Sequence, residues 1–193
     1  MDGRLLFEAA VYYNDWRDVQ SSAFVGASPF TIITNGGDAS GYGVDLAATI
    51  RPVDGLSLSA TYGWNNIEYT SDTADKNPGD PIDFAVQQSY SASLDYRRPV
   101  FGQTEGFFRA DYQHADQAQV TLRGFFGDQF VSLPARDLVN LSFGLDFGPV
   151  EAAVFSSNAL DDDAPVIQGP FGRITENLEQ RPRVIGVRLR GSF

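Results

Sequence analysis

Apolar and polar residues alternate along most of this chain with a period of two, the spacing that puts successive side chains on opposite faces of a β-strand. In LVNLSFGLDF, Val139, Leu141, Phe143, Leu145 and Phe147 fall on one face, and Asn140, Ser142, Gly144 and Asp146 on the other. LSLSATYGWN opposes Leu56, Leu58, Ala60, Tyr62 and Trp64 to Ser57, Ser59, Thr61, Gly63 and Asn65. The same sorting holds from Phe7 to Asn14, in GVDLAATIR from Gly43, in YSASLDY from Tyr90 and in FRADYQH from Phe108. VEAAVFSSN, from Val150, alternates more weakly, and the closing RPRVIGVRLRGSF sets Ile185, Val187, Leu189 and Phe193 against Arg188 and Arg190. The pattern predicts eight amphipathic strands and no helix.

The connections alternate as well. PVDG at 52–55, the stretch RPVFGQTEG and GP at 148–149 are short and carry turn chemistry. The other joins, about 20–40, 69–88, 115–136 and 159–181, are long and polar. In an antiparallel up-and-down meander, strict alternation puts every short turn on one rim and every long loop on the other. Outer-membrane barrels are built in this way, with short periplasmic turns and longer extracellular loops.

Alternation by itself fits a soluble barrel with its greasy face inward as well as a membrane barrel with that face on lipid. Three features favour lipid. The polar faces hold Asp45, Arg51, Arg109, Asp111, Asp146, Arg188 and Arg190, the charge expected of a water-filled lumen. Aromatics stand near the ends of the apolar stripes, at Tyr13, Tyr42, Trp64, Tyr90, Tyr96, Tyr112 and Phe147, as interfacial girdles do. The last residue is an aromatic, Phe193, with alternating apolar companions. The fold expectation is therefore all-β: a transmembrane antiparallel up-and-down barrel of about eight strands.

Composition adds exclusions. The chain has 193 residues, enough for one domain, and no composition step divides it. There are no cysteines, so no disulfide or thiolate metal site is available. A net charge of −11 with only 14 Lys and Arg speaks against nucleic acid as a partner. The start, MDGRLLFEAAVYYNDW, does not read as a signal peptide, and no apolar run reaches the roughly 18 residues a membrane helix needs. Hydropathy alone would call the chain soluble; the alternation contradicts it.

The order of these pieces resembles the carboxy-terminal part of TonB-dependent outer-membrane receptors. NGGDASGYGVDLAATIRPVDGLSLSATYGWNNIEY looks like a strand, tight turn and strand of that family, and DLVNLSFGLDF, VFSSNALDDDAP and RPRVIGVRLRGSF look like its last three strands. The resemblance implies a barrel segment from a protein for energised uptake of a scarce ligand of the iron–siderophore class. It implies as partners outer-membrane lipid, a small-molecule metal chelate and TonB, the last through an amino-terminal plug. It also implies that Phe193, Leu189, Val187 and Ile185 are read by the barrel-assembly machinery, with Gly191 standing where an aromatic is usual. Such receptors have about 22 strands around a plugged lumen. On this reading residues 1–193 are the carboxy-terminal barrel segment with the plug absent. The alternative is a complete eight-stranded barrel with a structural or adhesion role.

Sharper chemistry has plainer explanations. His114 is the only histidine and lies at the end of a strand, so an interfacial residue is the readier reading than a catalytic base. Asp161, Asp162 and Asp163 lack the ligand spacing and glycine turn of a calcium loop and read as an exposed acidic loop. The lumen charges are expected to pair with one another across strands before serving any substrate. No acid–base or nucleophile constellation, cofactor or metal site is expected, and the function class is not enzymatic.

Overall fold

The computed structural model describes residues 4–24, 31–73, 76–122, 129–171 and 174–191. In chain order its strands are β1 (Leu5–Trp16), β2 (Gln20–Phe24), β3 (Thr31–Asn35), β4 (Ala39–Ile50), β5 (Leu56–Tyr69), β6 (Gln88–Phe101) and β7 (Thr104–Ala115). They continue with β8 (Ala118–Leu122), β9 (Gln129–Leu133), β10 (Arg136–Asp146), β11 (Val150–Ser157), β12 (Pro165–Phe171), β13 (Ile174–Glu179) and β14 (Val184–Gly191). No helix occurs among the described residues. The eight strands expected from the alternation form one antiparallel sheet in the order β1-β4-β5-β6-β7-β10-β11-β14. β1 and β14 are its two ends and do not pair with each other, so these strands form an open sheet and not a closed eight-stranded barrel.

Register keeps the two faces separate across the whole sheet. Val11 pairs with Val44 and Val44 with Trp64; Ala60 pairs with Ala92, Ala92 with Tyr112 and Tyr112 with Val139. Phe143 then meets Val154, and Val154 meets Val187. A slip of one residue anywhere would swap the faces. Strands of 12 residues such as β1 and β4 reach about 40 Å at about 3.3 Å per residue. Tilted by about 40°, they cover the roughly 30 Å of a bilayer's hydrocarbon.

The apolar face has nothing packed on it. Val11 is 77% exposed, Phe143 60% and Leu189 73%. Among the described residues the buried apolar side chains are Val19, Ala39, Tyr69, Ala118 and Ala153, and the first four lie at the long-loop rim rather than under the sheet. A water-soluble chain of this size stabilises itself by removing apolar surface from water around one core. This single layer does not do so, which leaves its apolar face for a non-aqueous surrounding.

At the short-turn rim, Gly55, Gly102 and Gly148 each adopt positive φ. Gly55 has no alternative: at φ +81° any Cβ would lie 2.0 Å from the Arg97 carbonyl oxygen. The turn between β6 and β7 is tighter than the stretch RPVFGQTEG suggests. Both strands run on through it, a bulge at Pro99 accommodates the missing N–H, and only Gly102 and Gln103 remain as turn.

The long-loop rim differs more from expectation. The segments read as loops contain three hairpins, β2–β3, β8–β9 and β12–β13. The 70–87 segment folds back on the rim: the Tyr69 N–H donates to Asp80 O at 2.8 Å, and Gly79 N–H to Tyr69 O at 2.9 Å. Tyr69 is buried with Val19 and Ala39, flanked by Ile67 and Ile82. Lys76, also buried, pairs with Asp83 and sits 5.2 Å from the centre of the Tyr69 ring.

Three aromatic rings lie against glycines that are their direct cross-strand partners on the polar face: Tyr12 on Gly43, Phe107 on Gly144, and Phe155 on Gly186. A Cβ at Gly43 would come within 2.1 Å of the Tyr12 ring, and one at Gly186 within 2.7 Å of the Phe155 ring. The missing side chain lets each ring lie over the backbone, which thins that face. Gly43→Val is expected to destabilise the folded protein by about 1–3 kcal/mol through overcrowding, and Tyr12→Ala in the same chain to recover most of the loss. Urea unfolding in lipid vesicles measures both; a cost that Tyr12→Ala leaves unchanged would place its origin elsewhere.

Candidate functional site

The polar face is a balanced ionic wall. Its hydroxyls form ladders, Thr49 with Ser59 at 3.0 Å and Thr61 with Ser91 at 2.7 Å. Toward the short turns, arginines alternate with carboxylates. Arg109 grips Asp111 two residues on in the same strand, Nε to Oδ2 at 2.8 Å and Nη2 to Oδ1 at 3.0 Å, a forked charge-assisted pair. Arg188 reaches Glu151 at 3.5 Å. Asp146 accepts the Gly148 N–H at 2.8 Å and meets Arg97 Nη1 at 3.1 Å.

Of the seven expected charged residues, four thus enter ion pairs: Arg109, Asp111, Asp146 and Arg188. Arg190 is opposite Glu151 in register but makes no ion pair among the described residues. Asp45 stands beside Gly63, whose Cβ position is 3.3 Å from Asp45 Oδ1. Arg51 lies just past β4, its N–H bonded to Arg4 O at 2.8 Å. Sequence reasoning missed Arg97, Glu105 and Glu151. Arg97 links two strands, reaching Glu105 at 3.7 Å as well as Asp146, with its guanidinium 5.2 Å from the Phe107 ring centre. Arg97 has the parity of Asp95, and Glu105 that of Arg109; ending the strand at Tyr96 and placing Glu105 in the turn hid that signal.

Beside these pairs the polar face forms a hollow of about 760 Å³, with Arg97, Arg109, Glu151 and Arg188 among its walls. Its charges are exposed to water and matched in sign. Such a wall can exchange ionic contacts with a charged partner at little cost, because exposed pairs stabilise by about 1 kcal/mol or less.

His114 faces away from this wall. It stacks on Tyr90 with ring centres 4.5 Å apart, between Asp137 at 2.8 Å and Asp116 at 3.0 Å, while the Tyr112 hydroxyl donates to Asp137 at 2.6 Å. At the strand end it thus joins Tyr90 and Tyr112 in one cluster. Tyr13 and Tyr42 also meet, at 4.9 Å. The acidic loop is engaged with its own backbone: Asp161 accepts the Arg183 N–H at 2.8 Å, and Asp162 accepts those of Asp137 at 2.8 Å and Ala164 at 2.9 Å. Among the described residues no cluster could hold a metal ion. On β14, Ile185, Val187 and Leu189 are exposed on the apolar face; Phe193, named with them from the sequence, lies outside the described residues.

A sequence profile described as "TonB dependent receptor-like, beta-barrel" matches residues 1–158. The chain belongs to that family. Three solved barrels are similar to this TonB-dependent receptor segment. The ferric yersiniabactin uptake receptor FyuA from Yersinia pestis matches with a TM-score of 0.79 at 16% identity, over 100% of this chain and 28% of that one. BauA, the ferric preacinetobactin receptor from Acinetobacter baumannii, gives 0.64 at 11% identity, over 98% and 27%. The FrpB iron transporter from Neisseria meningitidis (F3-3 variant) gives 0.63 at 14% identity, over 98% and 29%. At these identities the likeness is one of fold. The segment spans between a quarter and a third of each barrel's chain.

The ionic wall is expected to be weakly coupled. A double-mutant cycle of Arg97→Met and Asp146→Asn, read by urea unfolding in vesicles, should give a coupling of about 0.2–1 kcal/mol that shrinks with added salt. A coupling above about 2 kcal/mol, insensitive to salt, would mean that the polar face is covered.

Proposed function

We propose that this chain is part of the barrel wall of a TonB-dependent receptor that takes a scarce metal chelate, of the iron–siderophore class, across a bacterial outer membrane. The observation that carries the reading is a single-layer sheet with one uninterrupted apolar face and one balanced ionic face, in a chain of this family. The apolar face meets lipid and the ionic face lines the lumen, with short turns in the periplasm and hairpin-bearing loops outside. The three similar barrels are named for ferric complexes or iron, which supports the ligand class.

Much of the charge that the lumen wall contributes is neutralised in pairs, so a plug domain elsewhere in the whole protein can slide past with few ions left unpaired. TonB acts through that plug, and this segment supplies wall and loops. Within that wall Ile185, Val187, Leu189 and Phe193 serve as a signal for barrel assembly. No chemical step is assigned to its residues; they bind and guide.

The test is accumulation of a labelled ferric chelate in cells stripped of their own receptors. The whole protein that contains this chain should support uptake that stops when the proton-motive force is collapsed, and residues 1–193 alone should support none. Uptake indifferent to that force, or energised uptake by residues 1–193 alone, would contradict the reading.

A further inference from the structure

The hairpin-bearing loops enclose a pocket of about 470 Å³ at the long-loop rim, within the range of small-molecule sites. Three connections build it: Phe84 and Val86 from the 70–87 segment, Leu133 and Pro134 at the end of β9, and Val166 from β12, which packs against β9. The walls are apolar, in a region where water would otherwise favour polar side chains. One cation stands at this pocket, Arg136. Arg136 is in register with Ala115, and both have the parity of Asp111 and Asn140, so the pocket belongs to the ionic face rather than the lipid face.

Two further observations mark the pocket as more than a packing gap. Phe84 has φ +56°, a conformation that bulky side chains rarely adopt, yet it is 43% exposed and therefore gains little from burial. Its N–H donates to the Gln119 carbonyl at 3.2 Å, which anchors the Phe84 main chain beside the pocket that its side chain lines. Arg136 makes no ion pair among the described residues. The neighbouring carboxylates are engaged elsewhere. Asp137 is held by Tyr112 and His114 on the other face, and Asp116, which also lines the pocket, is bonded to His114 Nε2. Asp162, the next carboxylate along the rim, accepts the N–H groups of Asp137 and Ala164. Against apolar walls a guanidinium–carboxylate contact is stronger and can be forked.

We infer that this pocket binds a small organic anion with an aromatic or similarly flat apolar body, its carboxylate on Arg136 and its body between Phe84 and Leu133. The inference deepens the receptor reading and rests on it for the ligand's identity: the anion is the apolar, acid-bearing end of the chelate. Shape and charge then select jointly, because a neutral body forgoes Arg136 and a cationic one meets it with like charge.

The test uses the whole protein that contains this chain, in lipid nanodiscs, with 4-ethylbenzoate, 4-ethylbenzamide and 4-ethylbenzylamine as probes and empty nanodiscs subtracted. Calorimetry should show the benzoate binding at least ten-fold more tightly than the benzamide, with the amine weakest. Arg136→Gln should erase the benzoate preference, Arg136→Lys should keep part of it, and Leu133→Asp should abolish binding of all three. Equal binding of the three probes, no binding of the benzoate, or a preference that survives Arg136→Gln would each overturn the inference. Binding of a ferric chelate to the same samples separates the two claims. Chelate binding without benzoate binding sinks the pocket and leaves the receptor standing; benzoate binding without chelate binding or uptake does the reverse.

Discussion

A strand in hydrocarbon has no water to satisfy its backbone, and each unpaired N–H or C=O there costs several kcal/mol. The cross-strand hydrogen bonds of this sheet answer that constraint, and its other features are compatible with it. Because the ladder satisfies the main chain, side chains need not form a core, and the sheet can remain one layer thick. Because the ladder fixes register, one apolar row continues from Val11 through Val44 to Trp64, and another from Phe143 through Val154 to Val187. The same constraint bears on β1 and β14, each of which has one unpaired edge in the sheet. In a bilayer those edges require further strands, which fits a segment spanning between a quarter and a third of the barrels it resembles.

Within that frame the molecule divides its chemistry by height. On the apolar face Tyr90, Tyr112 and His114 gather toward the long-loop rim, while Tyr96 and Phe147 stand toward the short turns. The ionic face pairs Arg97, Arg109 and Arg188 with Asp146, Asp111 and Glu151. The closely packed side chains are at the long-loop rim, where Tyr69, Val19 and Ala39 form a small core and Lys76 is buried against Asp83. There the surroundings are water, so ordinary burial resumes its role in holding the loops in place.

The strands of the sheet were legible because their faces meet different solvents, which imposes strict alternation on the sequence. Turn positions were legible through Gly55, Gly102 and Gly148. The loop hairpins were not: β2, β8 and β12 are five to seven residues long, too short for alternation such as that of AQVTL in β8 to stand out, and turn-rich composition around them masks them. Arg97 and Glu105 were missed for a related reason, since Pro99 and Gly102 suggested that the strands had already ended, whereas a bulge lets them continue. The pairing of Tyr12 with Gly43 or Phe155 with Gly186 depends on register between strands and cannot be read from either strand alone. Four of the seven charged positions expected on the ionic wall make ion pairs, because parity alone decides that face.

On β10 the face of Leu141, Phe143 and Leu145 is turned to hydrocarbon, and the face of Asn140 and Ser142 to the aqueous lumen. The chain has no cysteine, so single cysteines placed along β10 can carry nitroxide labels without interference from this segment. In lipid vesicles, power-saturation measurements should alternate with each residue. Oxygen, which concentrates in lipid, should relax labels at 141, 143 and 145, and a water-soluble nickel chelate should relax those at 140 and 142. A reversed alternation, or none, would contradict the account.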